Sequence, residues 1–230
     1  MNVVPVGVRY DPDPDPVRRK TDLETIQRLR FTVVAVPDTL SPGALKIVWI
    51  DRLLAGADGA PLRATAADFG LVAITAQTAP DRVREAAWTR LAARAVGVIF
   101  DGWQTLQKND GALAEAASFA EVLALNPALY APLRRVDSTG DRAITIQGGQ
   151  DDVEARWLES PDALLLIAVN HAAAPREVTL TFPPAVPEAV WQNMLTGTSV
   201  NFVAGPTGPT YQRTFSAHDV LVLMIRKRWK

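Results

Sequence analysis

Two apolar runs, Leu-Val-Ala-Ile-Thr at 71–75 and Val-Gly-Val-Ile-Phe at 96–100, frame a segment in which Val83, Ala87, Leu91 and Ala95 recur at every fourth position. The four-residue spacing predicts a helix over 81–95, with Pro80 at its start. The continuous apolar runs predict strands buried on both faces of a parallel sheet. Together they form a βαβ unit, whose ligand side lies beyond the carboxyl ends of its strands.

The rest of the first half follows the same alternation. Residues 3–8 and 31–36 are apolar and β-branched and predict two more strands. Between them, Thr21 and Glu24 form a capping box ahead of Leu23, Ile26 and Leu29, which predicts a helix. Ser41-Pro42 opens a further predicted helix through Ile47, Ile50, Leu53 and Leu54, stopping near Gly56. Residues 57–68 are rich in Ala, Gly and Asp and predict a linker. Residues 111–125 predict a last long helix, broken at Asn126-Pro127, and 128–133 one more short helical turn. The order is β-α-β-α-loop-β-α-β-α, with four parallel strands.

The pattern changes after Arg135. Residues 137–141 are turn-forming, and beyond them no helical period returns. Short strands are expected at 143–147, 153–158, 163–170, 177–182, 189–195, 211–215 and 220–226, separated by Gly, Pro and Asp. The fold class expected is α/β plus all-β: a partial (β/α) barrel over 1–136, then an antiparallel β-sandwich over 137–230. His171 and His218 fall at strand ends, where they read as polar caps.

Composition narrows the function classes. With 230 residues, 48% hydrophobic and 21% charged, the chain is an ordinary globular protein. A formal net charge of -1 argues against nucleic acid as a partner. The absence of cysteine removes disulfides, thiolate metal sites and a cysteine nucleophile. Only two histidines leave little for a histidine-rich metal centre. No apolar run approaches the roughly 20 residues of a membrane span, and no leader pattern opens the chain, so a cytoplasmic protein without membrane contact is expected.

The candidate chemistry gathers at strand ends. Asp101-Gly102-Trp103-Gln104 follows the fourth parallel strand. A carboxylate, a flat aromatic and an amide suit a sugar, with the ring stacked on Trp103 and hydroxyls bonded to Asp101 and Gln104. Trp103 also fits a core or rim aromatic, and Asp101 a turn. The first strand runs into Arg9-Tyr10-Asp11-Pro12-Asp13-Pro14-Asp15-Pro16, a stiff acidic loop. Its carboxylates fit a polar cleft, a hard cation or a solvated loop.

Longer stretches resemble known proteins. "DVEARWLESPDALLLIAVNHAAAPREVTLTFPP", "AVWQNMLTG" and "FSAHDVLVLMIRKR" resemble the small C-terminal β-domain that follows the barrel in many glycoside hydrolases. "TDLETIQRLRFTVVAV" resembles helix 1 and strand 2 of a clan-A glycosidase barrel, close in style to family 42 β-galactosidases. "AAWTRLAARAVGVIFDGWQTL" resembles helix 7 and strand 8, and "NPALYAPLRR" the helix that leaves the barrel. Strands 3 to 6 have no counterpart. The family's acid/base glutamate lies after the missing strand 4, and Ala76 stands at the matching position of its nucleophile.

The resemblance implies a carbohydrate substrate, no cofactor and no metal. In a minimal glycoside hydrolase the catalytic pair would be Asp38 and Asp101, with Arg9, Tyr10, Asp11, Asp13, Trp103 and Gln104 holding the sugar. The alternative is a non-catalytic carbohydrate-binding or structural protein. Four strands in the barrel order 7-8-1-2 would leave two raw edges, which predicts a homodimer through the open barrel edges.

Overall fold

A computed structural model describes residues 4–38, 44–55, 68–93, 96–126, 134–136, 144–149, 151–160, 162–183 and 190–226. The chain divides into two compact units, Met1–Pro127 and Ala128–Lys230.

The first unit is built on a five-stranded sheet. Strand β1 (Val6–Arg9) lies at its centre. Around it stand β2 (Val33–Pro37), β3 (Leu45–Trp49), β4 (Phe69–Ala73) and β5 (Gly97–Asp101), in the order β3-β2-β1-β5-β4. The pairs β1–β2, β1–β5 and β4–β5 are parallel. The predicted four-strand parallel arc is therefore present, in the predicted order.

Its outer edge differs. Residues 45–49 were expected within a helix, yet they form β3, antiparallel to β2, with Val34 opposite Val48 and Ala35 opposite Ile47. The helix α2 (Ile50–Leu54) begins only after that strand. Leu-Lys-Ile-Val-Trp is strand-prone, and the open edge of β2 offers it backbone partners that a helix turn would forgo. The edge of β2 is thereby filled, which removes one of the two edges on which a homodimer was expected. Residues 57–68, read as a linker, lie outside the described residues except for Asp68, and residues 128–133, read as a helical turn, lie outside them entirely.

Helices cover one face of the sheet. Helix α1 (Pro16–Arg28) starts at Asp15, whose Oδ1 accepts from the Val17 N–H at 2.9 Å, with Pro16 preset in the first turn. The expected Thr21 cap is inside this helix, and its hydroxyl donates back to the Val17 carbonyl at 3.0 Å. Helices α3 (Pro80–Ala92) and α5 (Asp110–Ala124) follow the predicted periods. Trp88 packs edge-on against Phe119 with centroids 4.8 Å apart, and Phe100 of β5 meets Phe119 at 6.1 Å. Arg84 grips Glu115 with two of its nitrogens, Nε at 2.8 Å and Nη2, and links α3 to α5. Val33, Ala35, Ile47, Phe69 and Ile99 form a separate apolar cluster on the other face.

The second unit is all-β. A six-stranded antiparallel sheet contains β6 (Arg134–Val136), β8 (Val153–Glu159), β9 (Ala163–Asn170), β11 (Trp191–Asn193), β12 (Ser199–Val200) and β14 (Val220–Arg226). A three-stranded one contains β7 (Thr145–Gln147), β10 (Arg176–Thr181) and β13 (Thr210–Phe215). Trp157, Leu166, Ala168 and Leu223 of the larger sheet and Val178, Leu180 and Phe215 of the smaller share one core. All seven expected strands are present. Sequence reading missed β6 and β12, which are too short to show a period. Because β6 pairs with β8, residues 134–136 join this second unit and not the first, where the boundary at 136/137 had put them. Their apparent place at the end of a helical half gave no local sign of a partner 23 residues on.

Candidate functional site

The carboxyl ends of β1 and β5 carry most of the candidate residues. Val8 lies opposite Phe100, so Arg9 and Asp101 come level on neighbouring parallel strands and on one face. Their side chains meet, Arg9 Nη1 to Asp101 Oδ1 at 3.4 Å, with 44% and 41% of each exposed. After Asp101 the chain turns at Gly102, whose φ of 101° is a left-handed value natural to glycine, and enters the short helix α4 (Trp103–Leu106).

Trp103 and Tyr10 take places other than those expected. Trp103 is fully buried, with its Nε1 lacking a partner among the described residues. Its ring is core and offers no open face for a sugar to stack on. Tyr10 is 1% exposed; its hydroxyl donates to Asp22 Oδ2 at 3.3 Å. Loss of hydration on burial, reinforced by the carboxylate of Asp22, pushes the phenol up to about 12. Both aromatics sit at the strand ends as expected, but the apolar need of the helix layer claims them.

The acidic loop folds onto α4. Gln104 Nε2 donates to the Asp11 carbonyl at 3.2 Å. Asp13 Oδ1 accepts from the Asp15 N–H at 2.8 Å, which sets the start of α1. Asp11, Asp13, Thr21, Asp22, Gln104 and Gln107 line a hollow of about 390 Å³. Asp22 and Gln107 were not singled out from sequence. The spacing of Gln104 and Gln107, three apart on a helical turn, was the available signal. The hollow presents carboxylate acceptors and amide groups that both donate and accept, a set that can bond hydroxyls. Among the described residues no group of three or more histidines, aspartates or glutamates comes together to hold a metal.

Asp38 is not brought to this place. Arg9 is level with Ala35, and Asp38 lies three residues further on, just past the end of β2. That is roughly 10 Å along the strand and two strands away from Asp101, at about 4.8 Å per strand. Its N–H bonds the Ala44 carbonyl at 2.9 Å, so it belongs to the β2–β3 connection. The carboxyl groups of a glycosidase pair stand roughly 5–9.5 Å apart across the scissile bond. On that spacing the backbones of Asp38 and Asp101 stand further apart than such a pair. The sequence suggested otherwise because the β2 end was read as leading into a helix, which would have left Asp38 at the mouth.

No protein-family model matches the chain, and no curated protein matches it in sequence. Solved structures similar to part of it include AmyP in complex with maltose, at 13% identity and TM-score 0.46 over 63% of this chain and 34% of that one. Another is a GH27 β-L-arabinopyranosidase from Geobacillus stearothermophilus in complex with arabinose, at 12% and 0.44 over 66% and 32%. A third is the noncanonic maltogenic α-amylase AmyB from Thermotoga neapolitana, at 10% and 0.46 over 69% and 41%. The chain thus spans well under half the length of these proteins. The likeness is to glycoside hydrolases of several kinds and does not single out family 42. Among the described residues no helix is long and apolar enough to cross a membrane.

Proposed function

We propose that this protein binds carbohydrate without hydrolysing it, through the polar hollow beyond β1 and β5 of a partial glycosidase-type barrel. The observation that carries this reading is the separation of the two carboxylates. Asp101 is held by Arg9 at the end of β5, and Asp38 stands past the end of β2, two strands away in the sheet. What lines the hollow is Asp11, Asp13, Asp22, Gln104 and Gln107 with Arg18 beside them, a set suited to hydroxyl groups. The resemblance of the β-domain and of the kept barrel segments to glycoside hydrolases supports sugar as the ligand class.

A second reading is hydrolysis centred on Asp101. Its exposure at the carboxyl end of a parallel strand favours it, since ligands of parallel sheets sit there. One experiment separates the two. Glucose, galactose, xylose and maltotriose are titrated into the full chain by calorimetry, and p-nitrophenyl glycosides are assayed alongside. Binding that weakens about fivefold or more in Gln104→Ala, without nitrophenol release, supports the first reading. Release that disappears in Asp101→Asn establishes the second. Neither binding nor release would overturn both.

A further inference from the structure

At the opposite, amino end of β1 and β2 lies a cavity of about 500 Å³ that has no part in the carbohydrate reading. Val6, Phe31, Ile50 and Ala120 give it apolar walls, and Arg30 and Arg52 stand among its lining residues. Among the described residues several arginines are held by a carboxylate, as Arg9 is by Asp101 and Arg84 by Glu115. Among the described residues, neither the Arg30 nor the Arg52 guanidinium has an ion pair or a hydrogen bond. The carboxylate of the lining residue Asp51 is engaged by the backbone N–H of Arg52 at 2.9 Å.

Arg30 carries a second, independent feature. It follows the last turn of α1 with a φ of 68°, in the left-handed region, and its N–H closes that turn on the Gln27 carbonyl at 2.9 Å. Glycine is the residue that adopts this helix-end conformation without steric cost. Folding alone is better served by glycine here than by a long cationic side chain that finds no partner. A strained residue lining a cavity points to a role outside folding.

We propose that this cavity binds an organic monocarboxylate with an apolar body. The walls take the body out of water. The planar guanidinium groups match a carboxylate with parallel N–H···O bonds. Two arginines less one aspartate leave one net positive charge on the lining, which matches a monoanion and disfavours a phosphate ester of higher charge.

Octanoate titrated into the full chain by calorimetry tests this, with 1-octanol and octyl phosphate as comparison probes. Octanoate is expected to bind about tenfold or more tightly than 1-octanol, and no more weakly than octyl phosphate. Arg52→Gln is expected to weaken octanoate by about tenfold. Arg30→Gly is expected to weaken it similarly while leaving Tm equal or higher, because glycine relieves the left-handed strain. That pairing separates loss of binding from loss of fold. Absence of octanoate binding at millimolar concentration, octanol binding as tightly, or unchanged binding in both variants would each overturn the proposal. Octyl phosphate binding about tenfold tighter would overturn the carboxylate assignment.

Discussion

Asn170 Nδ2 donates to the Ser216 carbonyl at 2.7 Å, tying the end of β9 to the β13–β14 turn 46 residues away. Asn170 is fully buried, and its amide also donates to the Ala174 carbonyl at 3.0 Å while its Oδ1 accepts from the Ala172 N–H at 3.0 Å. Each of these partners is a backbone group that no other side chain is shown to satisfy.

Asn170→Ala should therefore lower the stability of the β-rich unit by about 1.5–4 kcal/mol, the sum of three lost hydrogen bonds. Asn170→Asp should fall in the same range, because a carboxylate cannot donate to two carbonyls. Urea unfolding followed by tryptophan fluorescence measures this. An unchanged midpoint in both variants would remove Asn170 from its place as the hub of that corner.

Among the described residues β4 ends its sheet, and that edge carries its own guard. Arg90 Nε donates to the Leu71 carbonyl at 3.2 Å, and Leu71 is 45% exposed on a strand without charge or proline. Open apolar edges recruit further strands unless a group occupies them. Arg90→Ala should raise self-association, read by light scattering as a mass above 24.9 kDa at micromolar concentration. Arg90→Ala together with Leu71→Lys should return it towards the wild-type value.

Gly7 of β1 lies directly beside Val33 of β2. A Cβ there would lie 2.2 Å from the Val33 carbonyl oxygen and 2.7 Å from its Cγ2, so the backbone itself must move. Gly7→Ala should cost about 1–3 kcal/mol or more by overpacking at the centre of the sheet. Calorimetric Tm provides the measurement, and a value equal to wild type would show that β1 and β2 can separate freely.

Tyr10 makes stability fall on the alkaline side. Its phenol titrates near 10 when unfolded and at about 12 in the fold, chiefly because burial disfavours the phenolate. The folded state thus holds its proton longer. The stabilisation is complete below pH 10 and is lost as pH rises from 10 to 12. Tyr10→Phe loses the bond to Asp22 but cannot ionise. It should be less stable than wild type at pH 8 and close the gap by pH 11.5. A gap that stays constant with pH would refute this. Absorbance titration at 295 nm should show one of the three tyrosines ionising late.

Much of this protein was legible along the chain. The i, i+4 stripe of Val83, Ala87 and Leu91 and the runs at β4 and β5 depend on neighbours a few residues away. So do the short apolar strands from Val153 onward, and all of these took the predicted form. The Asp15-Pro16 start of α1 was also readable, but Thr21 and Glu24 offered a competing cap six residues after Asp15. Tertiary structure decided the rest. Residues 45–49 fit either a helix or a strand, and the unpaired backbone of β2 selected the strand. That choice placed Asp38 in a β-connection and separated it from Asp101. Trp103 and Tyr10 carry polar tips on large apolar bodies, and the space beside the sheet drew both inside. Local periodicity sets which segments become helix or strand. Which edges find partners, and which side chains lose water, depend on contacts between residues far apart in the chain, and those exist only once it has folded.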